Sequence, residues 1–148
     1  MNTIGKNYRQ LKITEAMIDV EKQKIVEQLL NFYYSVLIRY EAIDDFTKLD
    51  DLRVLRSRVI THEVIPSKYE KLYRQVELLQ AELFNIYTEI YYLMKTVMDE
   101  LVVSEREAEQ HLNRLMWKID QEEHDRYCDP RFAPTLSKSK SPRCAIHY

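Results

Sequence analysis

Between residues 69 and 97 the apolar positions alternate at spacings of three and four: Tyr69, Leu72, Val76, Leu79, Leu83, Ile86, Ile90, Leu93 and Val97. No polar residue interrupts these positions, and a repeat of this period is that of a helix with an apolar seam. At the standard rise the seam runs roughly 40–45 Å. Tyr73, Tyr87 and Met94 widen it on one flank, and Phe84, Tyr91 and Met98 extend it further round. A two-stranded coiled coil needs only the narrow seam, so the extra width predicts more than one neighbouring helix.

The same period predicts two more helices upstream. One spans about 6–44, opened by Asn7 and Gln10 at capping-box spacing. Its first half carries a thin stripe of Leu11, Ile18 and Ile25, broken by Glu15 and Lys22, and suits a projection or a partner. Its second half is dense with Leu29, Leu30, Phe32, Tyr33, Val36, Leu37, Tyr40 and Ile43, and should pack within the chain. After a break bracketed by Asp44-Asp45 and Asp50-Asp51, a short helix over about 51–64 places Leu52, Leu55 and Val59 on one side. Pro66 ends it, and Ser67 with Glu70 reads as the capping box of the long helix.

That third helix is predicted to continue to about residue 127. Beyond Val97 the seam slips by one position, and Leu101, Ala108, Leu112, Leu115 and Ile119 carry it onward. Ser104 and Glu107 form a second possible capping box at the slip, where the helix either bends or breaks. With the first and third helices antiparallel, lengths of roughly 58 and 90 Å leave the distal third of the long helix uncovered. Leu101, Ala108, Leu112, Leu115, Met116, Trp117 and Ile119 then form an expected partner-binding surface. Between residues 99 and 125 there are nine acidic and three basic side chains. Two copies side by side would repel, so a heteromeric partner is expected before a homodimer. The alternative is a break at Ser104, with residues 105–127 folding back over the stripe.

Composition narrows the fold class. Gly5 is the only glycine, which disfavours phosphate-cradling loops, tight βα turns and primed hairpins. Three of the four prolines fall after residue 129. The expected fold is therefore all-α, a long antiparallel helical hairpin or coiled-coil bundle over residues 1–127. A basic, Pro- and Ser-containing tail over 128–148 is expected to be irregular. The 11 tyrosines suit half-buried flanks and contact surfaces. A formal net charge of −2 gives no global reason to expect nucleic acid or an anionic membrane. The polar Met1–Gln10 stretch does not read as a signal peptide, and no apolar run spans a bilayer. Two cysteines do not make a secreted disulfide framework, so an intracellular, cytoplasmic setting is expected.

The candidate chemistry is sparse. His124, Cys128, Cys144 and His147 supply two thiolates and two imidazoles at H-x3-C and C-x2-H spacings, the ligand types of tetrahedral zinc. Their order is not that of common zinc modules, so a helix end followed by a tail is the plainer reading. His62-Glu63 fails as a zinc-protease motif because Pro66 stands where the second histidine belongs. No histidine has a glutamate three residues before it, which rules out the di-iron bundle pattern. Arg53, Arg56 and Arg58 beside Lys48 are offset by Asp50, Asp51 and Glu63 and read as a solvated face. Ser141-Pro142 has a proline-directed phosphorylation context. The aromatic run 84–98 lacks convergent polar groups and reads as packing. No cofactor or catalytic role is expected. The leading expectation is a structural or assembly subunit acting through helix–helix contacts in a larger complex, as cytoskeletal components do. The alternative is a small metal-binding or nucleic-acid-associated adaptor built on the C-terminal Cys/His cluster.

Overall fold

The computed structural model describes residues 2–42 and 51–128, with side chains through Arg126. It is an all-α helical bundle, with 89% of the described residues in four helices and no strand among them. The helices are α1 (Asn2–Arg39), α2 (Leu52–Ile60), α3 (Ser67–Leu101) and α4 (Glu105–Cys128). Packing divides the chain into two compact units: Met1–Lys12 with Thr88–Tyr148, and Ile13–Tyr87. The expected irregular tail starts inside α4, which includes Cys128; its remainder, with Cys144, His147 and Ser141, lies outside the described residues, as do Lys48 and the first aspartate pair.

The second unit is built on the dense half of α1. Leu29, Tyr33, Val36 and Leu37 are fully buried against Leu55 and Val59 of α2 and Tyr73 and Val76 of α3. Phe32 stacks on Tyr69 with ring centroids 3.8 Å apart, and Lys22 Nζ donates to Gln80 Oε1 at 2.6 Å. These pairings fix the antiparallel register of α1 and α3 in this unit, one residue up for one residue down. The long seam of α3 faces inward throughout: Val76, Leu83, Ile86 and Val97 are buried, and the other five seam positions are half-buried.

Helix ends differ from expectation for identifiable reasons. α1 starts at Asn2, so Asn7 and Gln10 lie inside a helix rather than capping one. It stops at Arg39, before the expected 44, because Glu41 adopts φ 53°. The Glu41 N–H then donates to Ile38 O and the Ala42 N–H to Leu37 O, a Schellman cap. α2 starts where Asp51 accepts from the Arg53 N–H at 3.1 Å, and ends four residues before the expected 64. There the Thr61 hydroxyl and N–H both turn back to Arg58 O. At the start of α3, Pro66 O accepts from the Tyr69 and Glu70 N–H groups, so Ser67 is the first helical residue and not the cap. Glu70 is engaged instead by Arg56.

The largest correction concerns the single helix expected over 67–127. It breaks after Leu101 and restarts at Glu105. Val102 takes φ 52°, and the Val103 N–H donates to Met98 O at 3.2 Å, the long bond of a Schellman cap. Ser104 caps the next helix: its Oγ accepts from the Glu107 N–H at 3.3 Å and its carbonyl from the Ala108 N–H at 2.9 Å. Both left-handed caps fall on residues with side chains, since the only glycine is committed to α1.

A β-branched residue in the left-handed region is strained, and Val102 is 88% exposed, so no packing compensates. Val102→Gly is therefore expected to raise stability by about 1 kcal/mol, after allowing for glycine's greater unfolded-state entropy. A denaturant melt checks this; a loss of stability would mean the left-handed cap is not formed. Leu83→Ala removes a side chain that is 1% exposed and should cost about 2–5 kcal/mol. A melt unchanged from wild type would remove Leu83 from the core.

Candidate interaction surfaces

The first unit is closed by α4. Tyr8, Val97, Ala108 and Leu112 are its buried core, with Ile4, Ile90, Leu93, Met94 and Met116 packed around them. Close approach is possible because Gly5 faces α4: a Cβ there would lie 3.0 Å from Leu115 Cβ and 3.3 Å from Ile119 Cδ1. Polar contacts fix the register. The Tyr8 hydroxyl donates to Asn113 Oδ1 at 2.9 Å, and Arg9 reaches Asp120 at 2.6 Å and Glu123 at 2.7 Å. The hydrogen bond to Asp120 raises the Arg9 pKa above its usual value. All three charged partners retain solvent contact, so these pairs contribute about 0.2–1 kcal/mol each and select register more than they stabilise.

This arrangement redistributes the seven residues expected to form a partner surface. Ala108, Leu112 and Ile119 are buried within the chain, and Leu115 and Met116 are half-buried. Leu101 (41% exposed) and Trp117 (64% exposed) remain open to solvent. The premise of an uncovered distal third is thus corrected: residues 105–128 fold back and cover the stripe, as the capping signal at Ser104 allowed. Sequence reasoning missed Gly5, Tyr8 and Arg9 as the receiving side, because pairings across more than a hundred residues leave no local pattern.

The remaining exposed apolar surface lies elsewhere. In the second unit, Ile13, Met17 and Val20 recur at helical spacing on α1, and Leu78, Phe84 and Tyr87 stand out on α3. In the register set by Lys22 and Gln80, Met17 and Val20 come level with Phe84. In the first unit Tyr91 and Tyr92 are also exposed. Two open grooves of about 400 Å³ accompany these surfaces. One, in the second unit, is lined by Gln28, Asn31, Phe32, Ser35, Lys68 and Tyr69. The other, in the first, is lined by Asn7, Gln10, Leu11, Glu89, Tyr92 and Leu93.

Three of the four metal candidates have side chains outside the described residues. His124 is half-buried on α4, and the side chains of Cys128, Cys144 and His147 lie outside them. No group of three or more His, Cys, Asp or Glu suited to a metal occurs among the described residues. Of the arginine cluster, Arg56 is drawn into the second unit. It makes a two-point pair with Glu70 at 2.8 and 3.1 Å and lies 4.8 Å over the Tyr73 ring. That hydrogen-bonded pair raises its pKa. His62 stacks on Tyr40, and Glu63 accepts from Arg39 and Tyr40. No helix among the described residues is long and apolar enough to cross a membrane. No protein-family model, curated protein or solved structure matches this chain.

Tyr33 is completely buried, and its hydroxyl has no hydrogen-bond partner among the described residues. Burial pushes its pKa up to about 12, with Arg56 pulling the other way. An unfolded tyrosine ionises near 10, so between about pH 10 and 12 the folded chain holds a proton the unfolded chain has lost. The resulting stability is full below pH 10 and is lost as pH rises through 12, by about 2 kcal/mol. Tyr33→Phe should match or exceed wild-type stability at pH 7, by up to about 1 kcal/mol, and lose less of it between pH 10 and 12. Parallel stability profiles for the two chains would show that the phenol is not buried.

Proposed function

We propose that this chain is a non-enzymatic structural or assembly subunit that works through helix–helix contacts in a larger complex, with the cytoplasm and a cytoskeletal setting as its place. The observation that carries this reading is the level of exposed apolar side chains in the second unit: Met17, Val20 and Phe84, each more than half exposed. Single exposed apolar residues are ordinary, but three that are more than half exposed at one level of the α1–α3 pair are suited to burial by further helices. The partner is taken to be a different protein, not nucleic acid, and no cofactor is invoked.

The test is affinity purification from the native cell with wild type and with two variants, Met17→Glu/Val20→Glu and Phe84→Glu. Circular dichroism first establishes that each variant keeps wild-type helicity. The expected outcome is a defined protein partner that co-elutes with wild type and is lost with both variants. Undiminished co-elution with the variants would contradict the surface assignment. One tightly held zinc per purified chain would favour the adaptor alternative.

A further inference from the structure

We infer that α4 exchanges between two copies of this chain, giving a swapped dimer in which α3 and α4 run on as one helix. The inference does not rest on the proposed role as an assembly subunit; it rests on the hinge at residues 101–104 and on the face that receives α4.

The hinge holds two competing conformations. Residues 67–127 contain neither glycine nor proline, so nothing covalent forbids a helix through the break. The apolar period continues across it with a slip of one position. The closed form instead places Val102 at φ 52°, a left-handed conformation unfavourable for a β-branched side chain that touches almost nothing. The turn is held by the Val103 N–H donating to Met98 O, by Ser104 Oγ accepting from the Glu107 N–H at a long 3.3 Å, and by the Val103 side chain packed against the Tyr8–Val97 cluster. Opening the hinge relieves Val102 and adds intrahelical hydrogen bonds. Short strained connections of this kind are the usual seat of domain swapping.

The receiving face determines what must follow. When α4 leaves, Tyr8 and Val97, 2% and 0% exposed in the closed chain, would meet water. The occupant that fits is α4 of a second copy, because every feature of the face is matched to that helix. Gly5 leaves room for Leu115 and Ile119, Tyr8 meets Asn113, and Arg9 meets Asp120 and Glu123. These contacts re-form unchanged between copies. The acidic flanks that oppose side-by-side pairing do not meet, since each copy receives the other's α4 on its own Arg9. The closed chain and the dimer then differ chiefly at two hinges and in concentration dependence.

Hinge variants and a charge exchange test this together. Val102→Ala/Ser104→Ala removes the cap and favours continuous helix, whereas Val102→Gly favours the closed turn. Light scattering on the full chain, over about two decades of concentration, should show the first variant dimerising at least about tenfold more tightly than the second. The dimer mass should be twice 17.9 kDa. The exchange is then assigned in the Val102→Ala/Ser104→Ala background with Arg9→Glu on one chain and Asp120→Arg/Glu123→Arg on the other. Alone, each chain sets like charges across the α4 contact; mixed, both contacts become complementary only in a swapped heterodimer. The expected result is a heterodimer in the mixture, far exceeding either homodimer. Equal dimerisation of the hinge variants overturns the proposal. So does a mixture that yields no heterodimer from chains that circular dichroism shows to be helical.

Discussion

The first unit depends on the reversal at Leu101–Ser104. An apolar stripe on residues 108–119 has to be buried, and the chain does so by stopping α3 and returning α4 across the N-terminal turns of α1. Three conditions make that possible. Gly5 allows the backbones to approach, Ser104 restarts the helix, and Val102 accepts a conformation that a glycine would adopt more readily. With only one glycine in the chain, close packing and relaxed capping compete for it, and packing takes precedence. The strain is left at an exposed hinge.

The second unit solves a similar problem without strain in its core. α2 lies over the junction of α1 and α3, and Leu55 and Val59 complete a cluster that α1 and α3 alone would leave open. Its polar element is the half-buried Arg56–Glu70 pair beside Tyr73, with the Tyr33 hydroxyl left without a hydrogen-bond partner among the described residues. A half-exposed pair of this kind adds little to stability. What it adds is register: Arg56 of α2 has one correct partner on the first turns of α3, and the short helix is thereby aligned. Among the described residues no third helix covers Met17, Val20 and Phe84, and the proposed contacts follow from their exposure.

Much of this was legible in the sequence, because a helix writes its packing face into its own period. The nine-position seam of α3, the Leu29–Leu37 part of the dense half of α1 and the Leu55–Val59 face of α2 point inward as the pattern requires, whereas Tyr40 is exposed and Ile43 lies outside the described residues. Local signals at chain breaks were less reliable. The Ser104 box marks a true cap, whereas Asn7 with Gln10, and Ser67 with Glu70, do not. What sequence could not supply was which face meets which. A helix continuous through residue 101 would leave Leu112 and Ile119 in water, and the break after Leu101 lets both be buried. The pairing of Gly5 with Leu115, or Arg9 with Asp120, spans a separation at which no periodicity survives. Of the four metal candidates only His124 has its side chain among the described residues.

The return of α4 onto α1 is the claim on which the rest turns, and an intramolecular distance tests it most directly. Spin labels at Lys6→Cys and Lys118→Cys, in a chain with Cys128 and Cys144 replaced by serine, report on exposed positions next to Gly5 and Ile119. In the monomer, diluted with unlabelled chain, the account requires a separation within roughly 20 Å. A continuous helix through residue 101 would carry Lys118 more than about 30 Å from Lys6 at the standard rise. A monomer dominated by that longer distance would contradict the account.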